Sequence, residues 1–169
     1  MNVALNIGTR ASADQPDDLK GRYLVSLTLV ERLHRLLLDV IKDEFERLGR
    51  SDVNSVQALL LYNIGDAELT AGELTSRGYY LGSNVSYNLK KLVEAGYINH
   101  QRSSTDRRSV RVRLTDKGQE VCEVVNGLYQ RQLKSLQQVG GVDANDLEVL
   151  NKSLIRLERF WSDQIRYQL

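Results

Sequence analysis

The sequence predicts a mostly α-helical protein with one small β-hairpin, and three observations lead to this fold class. Over most of the chain, apolar residues recur every three or four positions, the spacing that places them on one face of an α-helix. Residues 110–114 instead alternate apolar with basic side chains, which is the period of a β-strand with one buried face. Glycines at positions 49, 65, 96 and 140–141 interrupt the helical pattern and divide it into separate elements.

Residues 1–17 form an N-terminal tail without a sustained period, and residues 18–52 contain one long helix. The tail either frays in solution or packs onto a second subunit through Val3, Leu5 and Ile7. From residue 19 to about residue 48, the helix carries a continuous apolar stripe that includes Leu27, Val30, His34, Leu37 and Ile41. A helix of about thirty residues extends about 45 Å, which is more than a small domain needs internally. Its surplus apolar surface predicts a dimerisation helix.

Residues 53–117 begin with the pattern of a helix-turn-helix. A helix over residues 53–64 is followed by Thr70 and Glu73, which have the spacing of a capping box that opens a short helix ending near Gly78. A tight connection over residues 78–82 leads into another helix, and Gly96 ends that helix. Two helices joined by a short glycine-containing turn form a helix-turn-helix, whose second helix enters the major groove of DNA.

The second of these helices is amphipathic in a way that suits DNA binding. Val85, Leu89 and Leu92 mark the face that we expect to be buried. Side chains suited to phosphates and base edges are present as well, and the predicted contacts are Ser83, Asn84, Ser86, Tyr87, Lys90 and Lys91. The alternative for the two lysines is an ordinary exposed helix face.

A hairpin with a basic tip follows this helix. The turn over residues 103–108 joins two predicted strands, and a helix followed by such a hairpin is the layout of a winged helix-turn-helix. The distribution of charge agrees with this interpretation. Residues 77–117 hold nine Lys or Arg against three Asp or Glu, a net charge of +6, whereas the whole chain has +1 and the remainder therefore −5. Positive charge concentrated in one segment indicates a polyanion partner, here double-stranded DNA.

Residues 118–169 predict two more helices. Thr115 is a suitable N-cap for the first, whose apolar face carries Val121, Val125 and Leu128, and the pair of glycines at 140–141 ends it. The last helix carries a heptad seam formed by Leu147, Leu150, Leu154, Leu157 and Trp161. We therefore expect a homodimer whose dimerisation helices come from both termini.

The sequence offers little support for an enzyme. It contains no glycine-rich phosphate loop and no nucleophile elbow, and His34, His100 and Cys122 do not have the spacing of a metal site. We expect no catalytic residues, no metal and no cofactor.

The single cysteine excludes an intramolecular disulfide, and no stretch suggests a secretion signal or a membrane span, so a cytoplasmic protein is expected. The rival hypothesis is a winged-helix module that docks a protein partner.

The residues from Asp106 to Gly118 resemble a pattern of the MarR family of bacterial transcription regulators. That pattern is Asp, any residue, Arg, and then a strand that ends in Leu-Thr, two residues and Gly. The resemblance covers residues 20–167, and the segment from Gly78 to Leu89 resembles an alphaproteobacterial branch of the family. The turn before the predicted DNA-reading helix departs from the family pattern, so the resemblance assigns no DNA contacts to this turn. Tyr79 and Tyr80, which lie in it, either pack on the core or reach phosphate.

The resemblance implies specific roles for the hairpin tip. Arg108 would enter the minor groove and Asp106 would help to position it, while the neighbouring Arg107 is also predicted to contact DNA; the alternative for the arginines is a solvated hairpin. The family also implies a small-molecule effector, aromatic or phenolic, bound between the dimer helices and the DNA-binding lobe. The sequence does not identify the residues of that pocket.

Overall fold

The computed structural model describes residues 16–70, 73–74, 82–102 and 110–167. In chain order the elements are α1 (Pro16–Arg47), α2 (Ser55–Ile64), β1 (Leu69–Thr70), α3 (Gly82–Glu94), β2 (Ile98–Arg102), β3 (Val110–Leu114), α4 (Asp116–Gly140) and α5 (Ala144–Tyr167). The chain divides into two compact units, Met1–Ser51 and Asp52–Leu169. Within the described ranges, no helix combines the length and the apolar character that a membrane span needs.

Several predictions concern residues outside these ranges. They are the packing of the tail through Val3, Leu5 and Ile7, the end of the short helix near Gly78, the turn with Tyr79 and Tyr80, and the hairpin tip with Asp106, Arg107 and Arg108.

Helix α1 is the long N-terminal helix that the sequence predicted. It begins at Pro16, three residues earlier than expected, because proline lacks an N–H and its fixed φ suits the first turn. At the other end, the N–H of Gly49 donates to the Glu46 carbonyl and that of Arg50 to the Phe45 carbonyl, while Gly49 has a φ of 67°. This is a Schellman motif, and it explains why the helix stops.

Ile41 and Phe45 are buried, whereas the predicted stripe is exposed at Val30 and His34.

Helix α2 forms the centre of the second unit. It starts two residues later than predicted, because Asn54 and Gln57 form a reciprocal capping box that the sequence-based prediction did not include. Five of its residues are buried, namely Ala58, Leu59, Leu60, Leu61 and Ile64. The helix packs against α4, where the rings of Tyr62 and Tyr129 meet edge to face with their centroids 5.1 Å apart.

The hairpin belongs to a three-stranded antiparallel sheet with the order β1-β3-β2. The prediction of two strands was incomplete, because the two-residue strand β1 is too short to show an alternating pattern. Leu69 lies opposite Val112, and Ile98 lies opposite Leu114. These four side chains are buried at 2–6% exposure, so one face of the sheet lies on the core.

Thr70 closes strand β1 and opens the turn that follows. Its hydroxyl accepts from the N–H of Glu73 at 3.1 Å, and the Glu73 carboxylate accepts from the N–H of Thr70 at 2.6 Å. The predicted capping box is therefore confirmed.

Helix α4 begins and ends as predicted. Thr115 is the N-cap of α4, and Gly141 follows that helix in the left-handed conformation with a φ of 65°. Asp143 and Asp146 bind each other's N–H groups at 2.9 and 3.0 Å and so open α5. Burial on α4 ends at Leu128, and no described residue of α5 is buried.

Candidate nucleic-acid interface

Helix α3 has one buried and one solvent-exposed side, as the sequence predicted. Leu89 and Leu92 are 7% and 1% exposed, because they face the core of their unit. Tyr87 is 63% exposed, and Lys90 and Lys91 are exposed beside it. The helix therefore presents a phenol and two ammonium groups to solvent, which are groups that bind phosphates and base edges.

The remaining predicted residues of this helix are described to different extents. Ser86 is exposed on α3. Ser83 and Asn84 lie in the first turn of the helix, but their side chains, like that of Val85, are outside the described set. The structure thus brings the predicted helix residues together on one element, whereas the wing-tip residues Asp106, Arg107 and Arg108 are outside the described ranges.

The two lysines of α3 share an acidic neighbour, Glu94. The ammonium nitrogens of Lys90 and Lys91 lie 3.9 and 3.5 Å from the carboxylate oxygens of Glu94, and all three side chains are at least half exposed. The Lys91 nitrogen also lies 6.0 Å from the centroid of the Tyr87 ring. Exposed ion pairs of this kind contribute about 0.2–1 kcal/mol. The lysines can therefore leave Glu94 and bind a phosphate at little cost in free energy.

The C-terminal end of α3 is closed by a second Schellman motif. The N–H of Gly96 donates to the Val93 carbonyl at 3.0 Å, and the N–H of Tyr97 donates to the Leu92 carbonyl at 2.8 Å. Gly96 has a φ of 77°, a conformation that glycine adopts without steric cost. Tyr97 is buried, and strand β2 begins at the next residue. The helix and the first strand of the wing are therefore joined by a short turn with fixed hydrogen bonds.

Strand β3 supplies two basic residues that the sequence-based prediction of the site did not include. Arg111 and Arg113 are exposed, while Val112 and Leu114 between and after them are buried. This arrangement agrees with the alternation of apolar and basic residues in the sequence. The Arg111 guanidinium lies 3.9 Å from the Glu68 carboxylate, and both side chains are about half exposed.

The outer side of the sheet forms an open polar cleft of about 390 Å³. Its lining is mainly polar and consists of Glu68, Asn99, Arg111, Arg113, Leu114, Thr115, Asp116 and Gln119. Two guanidinium groups and two carboxylates balance each other there, which distinguishes the cleft from the net positive face of α3.

Cys122 lies on α4 with its Sγ 3.3 Å from the Leu61 carbonyl oxygen, to which the thiol donates. Burial raises the pKa of this thiol to about 11, and the carboxylates of Asp66 and Glu123 act on the pKa in the same direction. A thiol with this pKa is protonated at neutral pH and is a poor nucleophile. In the described part of the chain, no cluster of His, Cys, Asp or Glu could hold a metal ion.

Comparisons with known proteins agree with this geometry. A family model described as a winged helix DNA-binding domain matches residues 53–118. The chain is 37% identical over 151 residues to the exopolysaccharide II synthesis transcriptional activator ExpG of Rhizobium meliloti (strain 1021), covering 89% of this chain and 77% of that protein.

Solved structures share the fold. The transcriptional regulator SlyA matches with a TM-score of 0.70 at 19% identity, covering 85% of this chain and 98% of the other. A mutant MarR from E. coli, complexed with operator DNA, matches with a TM-score of 0.63 at 20% identity, covering 83% of this chain and 98% of the other. The chain is thus a transcriptional regulator with a winged-helix DNA-binding domain rather than an enzyme; it belongs to the family of the ExpG activator and has the fold of MarR-family regulators.

Proposed function

We propose that the chain reads a specific DNA sequence with the exposed side of α3 in the major groove. The observation that carries this proposal is the division of α3 into two sides: Leu89 and Leu92 are buried, whereas Tyr87, Lys90 and Lys91 face solvent. The major groove is wide enough for one α-helix, and its base edges differ for every base pair. An exposed phenol with neighbouring ammonium groups suits that environment.

The individual side chains would divide into two roles. Lys90 and Lys91 would bind phosphates and set the position of the helix, because ammonium groups act as point charges toward the backbone. Base edges would be contacted by hydroxyl and amide groups from Ser83, Asn84, Ser86 and Tyr87.

The tip of the wing would contact the adjacent minor groove. Arg108 would enter the groove with support from Asp106, and Arg107 would contact the flanking backbone. Strand β3, which leads directly from this tip, exposes Arg111 and Arg113, so positive charge continues along the hairpin. An arginine in the minor groove responds to groove width and negative potential, so the wing would favour A·T-rich flanks.

The active form would be a homodimer. Helices α1 and α5 expose large apolar side chains, among them Leu33 at 59%, Ile155 at 63% and Ile165 at 81%. Monomeric soluble proteins rarely expose so many apolar residues on whole helices, and a second copy of the chain would cover them. Two lobes related by a two-fold axis would bind an inverted repeat with half-site centres about 10 bp apart.

A small-molecule effector would modulate this binding. The resemblance to the MarR family supports an aromatic or phenolic compound as this effector. Such a ligand can change DNA affinity only through a difference in its affinity for the DNA-competent and incompetent states.

Selection of binding sites from a pool of random duplexes would test the proposed function. We expect enrichment of one inverted repeat, whose half-site centres are about 10 bp apart, and a binding constant that falls steeply with salt. Enrichment of a direct repeat would contradict the two-fold geometry. Absence of any enriched sequence would instead favour the rival function, a winged-helix module that docks a protein partner.

A further inference from the structure

The joint between α3 and the wing is held by residues 115–118, which lie beyond the wing in the sequence. Three successive carbonyls after the end of α3 each accept a hydrogen bond from this segment. The Lys117 ammonium donates to the Ala95 carbonyl at 3.0 Å, the Thr115 hydroxyl donates to the Gly96 carbonyl at 2.8 Å, and the Thr115 N–H donates to the Tyr97 carbonyl at 3.0 Å. We refer to residues 95–97 and 115–118 together as the wing–helix joint.

Thr115 connects two helices through one oxygen atom. Besides donating to Gly96, its hydroxyl accepts from the N–H of Gly118 at 3.2 Å and so caps α4. A hydroxyl has one hydrogen and two lone pairs, so both bonds form at the same time. The start of α4 is therefore tied directly to the end of α3.

Lys117 acts on the same turn from a second direction. Its ammonium nitrogen lies 4.1 Å from the centroid of the Tyr97 ring, in addition to its bond to the Ala95 carbonyl. That carbonyl lies at the negative end of the α3 dipole, where a cation is favoured. The Tyr97 hydroxyl donates to the Asp52 carboxylate, so Tyr97 contacts Asp52 through its hydroxyl and Lys117 through its ring.

Gly118 completes the joint because it leaves room for the backbone. A Cβ at this position would lie 2.3 Å from the Tyr97 carbonyl oxygen, closer than atoms can approach. The Leu-Thr-x-x-Gly motif, formed by residues 114–118, thus has a structural meaning in this chain. Its leucine is buried, its threonine and the lysine two residues later bind the end of α3, and its glycine permits their approach.

We propose that Thr115 and Lys117 are positioning residues that set the angle between α3 and the wing strand β3 and thereby the discrimination among half-sites. They do so without contacting DNA. The proposal rests on the proposed function, since it assigns these residues to the helix and wing that read the operator. A rotation of α3 relative to the wing would displace base-contacting side chains from their partners, while the number of phosphates bound by the protein would stay the same.

Lys117→Met tests this proposal, because methionine keeps an unbranched stem but removes the charge and the donor. The probes are the duplex that the wild-type chain selects from a random pool and the same duplex with one half-site base pair exchanged. We expect the ratio of the two affinities to fall about five-fold, the low end of what one base contact contributes, with an unchanged salt slope. Lys134→Met, on the same helix but far from the joint in sequence, should change neither quantity.

The other outcomes would overturn the proposal. A slope that decreases by about one unit with an unchanged ratio would make Lys117 a phosphate contact. A loss of folded protein alone would weaken binding to both duplexes equally and leave their ratio unchanged.

A second pair of variants keeps the test decisive if Lys117→Met does not fold. Thr115→Ala removes the hydroxyl and should lower the affinity ratio, whereas Thr115→Ser retains it and should restore the wild-type ratio. Equal ratios in these two variants would contradict the positioning role. Failure of the wild-type chain to select any duplex would overturn the proposed function. That result is distinguishable from failure of the positioning role, because it is obtained without any substitution.

Discussion

The winged-helix region and the terminal helices use the same kinds of residues in opposite ways. In residues 52–128, leucines such as Leu60 and Leu61 are fully buried within one chain. In α1 and α5, leucines at the same helical spacing remain exposed, with Leu24 at 50% and Leu150 at 46%. The contrast shows that helical amphipathicity predicts an apolar face but not the molecule that covers it.

The side-chain hydrogen bonds of the two regions also differ in the sequence separation of the residues that they join. Hydrogen bonds between residues distant in sequence, such as those of Thr115 with Gly96 and Lys117 with Ala95, occur in the winged-helix region. In α1 and α5, side-chain hydrogen bonds such as that of Arg22 with Asp18 join residues one helical turn apart. These hydrogen bonds therefore join separate elements in the first region, whereas they stay within one helix in the second.

The largest effect is expected from a charge placed on the exposed seam of α5. Leu154 is 38% exposed in the single chain, but a dimer interface would bury it. Leu154→Asp would then bury an unpaired carboxylate, at a cost of several kcal/mol, and separate the dimer. Light scattering at micromolar concentration should show a dimer for the wild type and a monomer for the variant.

Lys152→Asp is the matched control, because residues two positions apart point to nearly opposite sides of a helix. It should remain dimeric. A monomeric wild-type chain would remove the distinction between the two regions, and a dimeric Leu154→Asp variant would place the interface elsewhere.

A smaller effect is expected from truncating the core of the winged-helix region. Leu60 is 0% exposed, so Leu60→Ala should lower the free energy of unfolding by about 2–5 kcal/mol through reduced burial and a residual cavity. Val139 on the exposed part of α4 is 85% exposed, and Val139→Ala should change the free energy by less than about 0.5 kcal/mol. Denaturant titration measures both, and similar losses of stability would mean that the burial difference has no energetic counterpart.

The reactivity of Cys122 gives the smallest but most specific readout of packing in the winged-helix region. Its pKa is raised from 9.0 to about 11, mainly by burial. At pH 8 the native thiol should react with iodoacetamide about ten-fold or more slowly than the denatured chain, because less thiolate is present. Equal rates would show that the environment between α2 and α4 is open to solvent.

The same shift has a consequence for the stability of the fold. The folded state holds the Cys122 proton more tightly than the unfolded state does. The resulting stabilisation is present below a pH of about 9 and is lost as the pH rises through about 11. Cys122→Ser should reduce this alkaline loss in a comparison of melting temperatures.

Elements with a clear period or a local signal could be predicted from the sequence. The buried and exposed sides of α3 followed from the spacing of Leu89 and Leu92. The C-terminus of α3 followed from Gly96, and the N-terminus of α4 followed from Thr115. These signals act within a few residues, so that neighbouring side chains determine the result.

Most of the features that the sequence did not predict have no such local signal. Strand β1 contains two residues and shows no period. The bond of Lys117 with Ala95 spans 22 positions and that of Tyr97 with Asp52 spans 45, so both depend on the completed fold. The capping box of Asn54 and Gln57 is an exception, because it has a local signal in the sequence and moves the start of α2 to Ser55.

Salt titrations of Lys90→Ala and Lys91→Ala would show whether the exposed side of α3 binds DNA. The selected duplex is used as the probe, and Lys134→Ala on α4 is the matched control. Each α3 variant should lower the slope of log affinity against log salt by about one unit for every phosphate that it no longer binds, while the control keeps the wild-type slope. Slopes equal to that of the control in both α3 variants would contradict DNA binding by this side of α3.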